Sequence, residues 1–73
     1  MTFDEAKNRL IDLAREHGGM LTAELVERDD DLNANQDIVA AAAHAIAAST
    51  NIFATGRDGG WFPYSEIRFS DLR

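Results

Sequence analysis

The stretch QDIVAAAAHAIAASTNIFATGRDGGWFPY, residues 36–64, decides the fold because its periodicity changes from helical to extended. Seven of the nine residues from 40 to 48 are alanine, which has the highest helix propensity. The β-rich runs 52–55 and 61–64 then flank a glycine-rich segment, in which Asp58-Gly59 is a favoured two-residue hairpin turn. The stretch therefore predicts a helix over 36–48 and a β-hairpin over 52–64.

The predicted helix has two different faces. Its buried stripe is formed by apolar residues at helical spacing: Ile38, Val39, Ala42, Ala43 and Ile46. Its solvent-facing side is expected to carry small or polar residues: Gln36, Asp37, Ala40, Ala41, His44 and Ala47. Residues 32–35 before it, Leu-Asn-Ala-Asn, predict a turn in which either asparagine caps the helix.

Two helices are expected before this one. Residues 2–5 (TFDE) have the pattern of a capping box, and Gly18-Gly19 is a typical helix end, so the first helix spans about 3–17. Its stripe has alternating spacings of three and four: Phe3, Ala6, Leu10, Leu13 and His17. The second helix, capped by Thr22, should end near Arg28 or Asp29, because three consecutive aspartates oppose the helix dipole there.

The last residues continue the extended pattern, since Ile67 and Phe69 alternate with polar neighbours. The order of elements therefore predicts an α+β fold with three helices and a C-terminal β-hairpin. A length of 73 residues allows a single domain, residues 1–73.

Composition limits the compartment and the partners. The chain has no cysteine to form a disulfide and no apolar run of about 20 residues, the length that spans a bilayer. The N-terminus also lacks the basic and apolar regions of a signal peptide. We therefore expect a cytoplasmic protein without a membrane partner.

Charge is concentrated in the predicted helices. Residues 1–50 contain ten acidic and four basic residues, whereas residues 51–73 contain three of each, and the net charge is −6. A nucleic-acid-binding protein normally has a basic surface that neutralises phosphates. The acidic half therefore disfavours nucleic acid as a partner and leaves two interpretations open, solubility alone or the choice of a basic partner.

Catalytic and metal-binding patterns are weak throughout. A calcium loop starting at Asp29 would need glycine at Ala34 and glutamate at Ala40, so an acidic turn is the better interpretation. His17 should interact with the carbonyls that end the first helix, and His44 is either an ordinary surface residue or the polar centre of a contact patch. No nucleophile motif or phosphate-binding loop is present. The sequence therefore predicts a protein that is not an enzyme and holds neither metal nor cofactor.

Trp61 and Phe62 cannot both face the core from one strand, because successive strand residues point to opposite faces. One of them should pack inward, while the other covers an edge or forms an aromatic anchor for a partner. Which of the two is exposed stays open from the sequence.

The order helix, short strand, helix, turn, longer helix and hairpin, over about residues 2–65, resembles the winged helix-turn-helix family. Residues 19–25 (GMLTAEL) look like the family's entry to its helix-turn-helix, and residues 56–60 (GRDGG) look like a wing tip. The resemblance implies a three-helix winged-helix-like domain. It also implies that the helix at 36–48 would lie in the DNA major groove while the wing reaches the backbone.

This chain departs from the family where DNA would bind, because residues 36–48 contain no lysine or arginine. Our first hypothesis is therefore a protein-interaction module, an adaptor or inhibitor of a nucleic-acid-handling system whose partner has a basic surface. Its contact residues would be Ala40, Ala41, His44, Ala47, Arg57 and Trp61. The alternative is a DNA-binding transcriptional regulator that uses Asn35, Gln36, Arg57 and Arg68. A homodimer is compatible with both hypotheses.

Overall fold

The computed structural model describes residues 1–49 and 51–70, which form an α+β arrangement of helices and one antiparallel sheet. The elements in chain order are α1 (Phe3–Glu16), β1 (Met20–Thr22), α2 (Ala23–Arg28), α3 (Asp30–Asn33), α4 (Gln36–Ala47), β2 (Ile52–Gly56) and β3 (Tyr64–Phe69). The strand order is β1-β3-β2, so the last strand in the sequence lies in the middle. The predicted fold class is confirmed at this level, but the described residues contain four helices where the sequence predicted three.

Both ends of α1 are stabilised by local hydrogen bonds, as predicted. The Glu5 amide donates to the Thr2 hydroxyl at 3.2 Å, and the Thr2 amide donates to the Glu5 carboxylate at 3.0 Å. The bond from the Thr2 backbone lowers the pKa of Glu5. At the other end, His17 Nδ1 lies 2.9 Å from the Leu13 carbonyl oxygen. The middle of the predicted stripe is buried, whereas Phe3 and His17 at its two ends are exposed.

The predicted turn over 32–35 is wrong for Leu32 and Asn33, which belong to the short helix α3. Asp29 has an extended backbone that ends α2, and its carboxylate accepts a hydrogen bond from the Leu32 amide at 3.1 Å. Aspartates that are unfavourable at the end of one helix are favourable at the start of the next. Asn35 occupies the N-cap position of α4 without a side-chain cap, because its amide group donates to the Asp31 carbonyl at 2.8 Å.

Asp29 also connects the start of α3 to α1 through an ion pair with Arg9. Burial raises the pKa of the Asp29 carboxyl, but the hydrogen bonds from the Leu32 amide and from Arg9 outweigh this effect and lower it overall. A carboxyl with a lowered pKa in the folded state stabilises the fold above its ordinary value, about 3.9. This contribution is lost as the pH falls through the lowered pKa.

We therefore expect Asp29→Asn to lower the free energy of unfolding by about 0.5–1 kcal/mol at pH 7, because asparagine keeps the cap but loses the charge. Below about pH 4 the difference from the wild type should shrink towards zero. Urea unfolding between pH 2.5 and pH 7 measures it, and Asp30→Asn is the control because Asp30 is exposed. An equal pH dependence of the two variants would contradict a role for the Asp29 charge.

The hairpin differs from the prediction in its second strand. β3 begins at Tyr64, so the predicted strand over 61–64 is wrong for residues 61–63, and residues 57–63 form a loop instead of a two-residue turn at Asp58-Gly59. The register pairs Ile52 with Phe69 and Gly56 with Tyr64, with an irregularity between Thr55 and Gly56. The later run pairs because it has a strand on either side of it. The alternation seen at residues 67 and 69 buries both of these side chains under the sheet.

The core lies between the helices and one face of the sheet, and Phe62 is its largest fully buried side chain. The buried apolar residues are Ala6, Leu10, Leu13, Ala14, Leu21, Ala23, Val26, Leu32, Val39, Ala42, Ala43, Ile46, Phe62, Ile67 and Phe69. None of the helices in the described part of the chain is long and apolar enough to cross a membrane.

Candidate interaction surface

α4 has an exposed side, which we call the α4 face, formed by Asp37, Ala41, His44, Ala45 and Ala48. Four of these residues follow one another at spacings of four, three and four, so they line up along the helix. Ala40 and Ala47, which the sequence predicted to be exposed, are half-buried at its margins. Ala45 and Ala48 were missed, although the spacing from Ala41 would have placed both on the same side.

His44 is held in place by a residue from the sheet. Its Nδ1 atom lies 2.9 Å from the Tyr64 hydroxyl, and the two rings meet edge to face at a centroid distance of 5.4 Å. Tyr64 in turn packs against Phe62, and Phe62 against Trp61, at centroid distances of 6.3 Å and 5.9 Å. His44 is therefore both an exposed residue and part of a row of rings that connects α4 with the hairpin loop.

The loop over 57–63 is attached to α2 and α3 rather than standing away from the protein. Arg57 Nη1 lies 3.1 Å from a carboxylate oxygen of Glu27, and the Arg57 side chain is only 24% exposed. The indole nitrogen of Trp61 donates to the Asn33 side-chain oxygen at 2.9 Å. Phe62, the next residue, is fully buried, whereas Trp61 is half-buried, so Trp61 is the more exposed of the two aromatic residues.

The four residues of the DNA-binding alternative all have polar partners within the chain. The Asn35 amide group donates to the Asp31 carbonyl, and the Gln36 amide group donates to the Asn33 side chain at 3.3 Å. The two arginines are ion-paired, Arg57 with Glu27 and Arg68 with Glu66 at 3.2 Å. Only Arg57 and Arg68 of these four residues carry positive charge, and a carboxylate is paired with each of them.

The arginines of the part of the chain that the structure describes are paired with carboxylates. All five arginines within residues 1–49 and 51–70 form ion pairs, three of them in the helical half with Asp29, Asp12 and Glu24. The ammonium group of Lys7 lies 5.9 Å from the centroid of the Phe3 ring. The α4 face itself carries one carboxylate, Asp37, and no cation.

No protein-family model, curated protein or solved structure matches this chain.

Asp29, the first residue of the acidic segment 29–31, has a structural role. The Asp29 carboxylate, which would have started a calcium loop, accepts from the Leu32 amide and pairs with Arg9. Within residues 1–49 and 51–70, no three or more His, Asp or Glu side chains are grouped so that they could hold a metal ion. The α4 face therefore combines small alanine side chains with the His44 imidazole, which Tyr64 holds in place.

Proposed function

We propose that this protein is a binding module that acts through protein–protein interaction rather than catalysis, and that α4 is its contact helix. The order of its elements and the sheet order β1-β3-β2 support a winged-helix-like domain in which α3 is an additional short helix. The module would serve as a cytoplasmic adaptor or inhibitor of a nucleic-acid-handling system.

The observation that carries this proposal is the composition of the α4 face. Alanine loses almost no side-chain entropy when it is covered, and it allows the backbone of a partner to come close. His44 adds one polar group whose orientation is already set by Tyr64, so its ordering costs little on binding. A face with three exposed alanines around a fixed polar group is suited to the close packing of another helix or loop.

The charge of the chain supports a basic partner. Asp37 lies on the α4 face, and Asp30 and Asp31 are exposed on the preceding helix. With a net charge of −6, the protein attracts a basic surface and repels an acidic one. We therefore propose a partner that carries lysine or arginine around a shallow apolar contact.

A DNA-binding regulator is the second candidate, and the order of the elements favours it. It would place α4 in the major groove and the hairpin loop against the backbone. This arrangement would require Arg57 and Arg68 to leave Glu27 and Glu66, and it would bring Asp37 close to phosphates. These costs make DNA the weaker candidate.

Titration of the protein with a mixed-sequence duplex at low salt separates the two candidates. A protein that neutralises several phosphates binds any duplex under these conditions, with an affinity that falls steeply as salt rises. We expect no saturable binding in fluorescence anisotropy up to about 100 μM protein, a range that covers typical non-specific DNA affinities. Micromolar binding with a steep salt dependence would overturn the interaction proposal in favour of DNA.

Partner capture tests the α4 face directly. Ala41→Glu adds a charged side chain to the centre of this face, and we expect it to weaken the binding of captured partners at least about tenfold. Asn8→Glu is the matched control, because it adds the same charge at an exposed position of α1. Partners found by mass spectrometry with the wild type should remain with the control and be lost with Ala41→Glu. Equal capture by both variants would exclude α4 as the contact helix.

A further inference from the structure

β2 has an outer edge that no strand of residues 1–49 and 51–70 covers, because β3 is its only neighbour in the sheet. The Ser70 amide donates to the Asn51 carbonyl and the Phe69 amide donates to the Gly19 carbonyl, so successive residues of this segment turn to opposite neighbours. In an antiparallel ladder this alternation directs the backbone of Phe53 and Thr55 towards β3. The amide and the carbonyl of Ala54 therefore point outwards.

This edge has no charged residue and no proline, two features that normally protect edge strands, and its irregularity lies at its far end, between Thr55 and Gly56. Proteins place lysine, proline or a very short strand at such positions to prevent pairing between chains. β2 (IFATG) contains no charged residue and no proline, and Phe53 in its middle is 70% exposed, the most exposed large apolar side chain of the described residues. At the opposite margin of the sheet, β1 has only three residues and is contacted by α1 and α2.

We propose that the outer edge of β2 is a self-association site, at which two copies of this chain pair their β2 strands antiparallel about Ala54. The distribution of charge favours a second copy of this chain as the partner of β2. Residues 1–50 carry the net charge of −6, which repels a second copy, whereas β2 is uncharged and residues 51–73 carry three acidic and three basic residues. A basic peptide would find no carboxylate on β2 to pair with. A second β2 strand is uncharged and complementary to the first.

The pairing has a defined geometry. With Ala54 opposite Ala54 of the second copy, the two residues exchange both of their outward hydrogen bonds, and the small side chains fit at the two-fold axis. Phe53 then lies opposite Thr55 of the second copy, and the two Phe53 rings become diagonal neighbours, close enough for contact between aromatic side chains. The result is a continuous six-stranded sheet with the order β1-β3-β2-β2-β3-β1.

The contact is small, so the dimer should be weak. The surface area that one pair of five-residue strands buries is far below the roughly 1,200–2,000 Å² that stable interfaces bury. Sedimentation equilibrium over about 10 μM to 1 mM protein covers the dissociation constants that we expect for so small a contact. We expect the apparent mass of the wild type to rise from that of one chain towards that of two across this range.

Phe53→Lys is the main test, because it adds a charge to the edge without disturbing a buried residue. We expect it to weaken dimerisation at least about tenfold, as edge lysines do. Phe3→Lys is the matched control with the same change of residue and charge, at a position that is 39% exposed on α1. It should dimerise like the wild type. If circular dichroism shows that Phe53→Lys has lost its fold, Thr55→Lys replaces it, since Thr55 is also exposed.

A nuclear Overhauser experiment on a mixture of ¹³C-labelled and unlabelled protein tests the register. The proposal requires a contact between the Hα atoms of Phe53 and of Thr55 in the second copy. The proposal would be overturned if the chain remained monomeric at about 1 mM, the highest protein concentration in the sedimentation experiment. A dimer that persists in Phe53→Lys, or in Thr55→Lys where that variant replaces it, would overturn the proposal as well. A dimer that lacks the contact between the Hα atoms would also overturn it. The result is independent of the α4 proposal, because it depends on different residues.

Discussion

Phe62→Ala is expected to leave a large fraction of the protein unfolded at room temperature. The Phe62 side chain is completely buried and contacts both Trp61 and Tyr64 through its ring. Removing a buried phenylalanine side chain costs about 3–5 kcal/mol, because apolar burial is lost and a cavity remains. A domain of this size has only about 3–5 kcal/mol of stability in total. Circular dichroism in urea measures the loss.

Phe53→Ala is the matched control for this prediction. It makes the same chemical change at a side chain that is 70% exposed, so we expect a change of less than about 0.5 kcal/mol in the free energy of unfolding. Comparable losses in the two variants would show that Phe62 is not the centre of the core. A small loss in Phe62→Ala would also show that the loop packs on the helices less tightly than the structure indicates.

Gly60→Ala should destabilise the protein by about 1.5–3 kcal/mol, because it adds the displacement of the Arg57 side chain from its ion pair to an unfavourable backbone conformation. Gly60 has a φ of +75°, in the region that favours glycine. A Cβ atom there would lie 2.7 Å from Arg57 Cζ and 3.0 Å from a carboxylate oxygen of Glu27. The guanidinium group would have to move away from its ion pair, and the loop would lose one of its attachments.

Two other glycines separate these effects. Gly59 has a φ of +84° with open space around its Cα, so Gly59→Ala should cost only the backbone strain, about 1–2 kcal/mol. Gly56 has neither constraint, and Gly56→Ala should change the stability by less than about 1 kcal/mol. Thermal unfolding of the three variants should give the order 60, 59, 56 from most to least destabilised. Equal effects at 59 and 60 would contradict the packing of Arg57 against the loop.

Local signals account for most of what the sequence predicted correctly. The capping box at Thr2, the Thr22 cap and the glycines after α1 fixed the boundaries of the first helices within one or two residues. α3 was missed because Asp29 ends one helix and caps the next, and a pattern of charges alone does not distinguish these two roles. β3 was placed too early because pairing with both β1 and β2, rather than local β propensity, selects Tyr64–Phe69.

The candidate surface was predictable only in part. Helical periodicity correctly placed Ala41 and His44 on the exposed side of α4, since exposure of a helix face depends on spacing. The partners of Arg57, Trp61 and His44 were not predictable, because each lies on a distant part of the chain. The contacts to Glu27, Asn33 and Tyr64 cross 20 to 30 residues of sequence, and only the packed fold brings them together.

The central position of β3 sets an order of events during synthesis on the ribosome. β1 has no strand neighbour until residues 66–68 have been made, because Met20 pairs with Arg68 and Thr22 pairs with Glu66. β2 likewise depends on β3 for its only partner in the described sheet. Until β3 leaves the exit tunnel, neither β1 nor β2 has the strand with which it pairs. Neither ladder of the sheet can therefore form before β3 has been made.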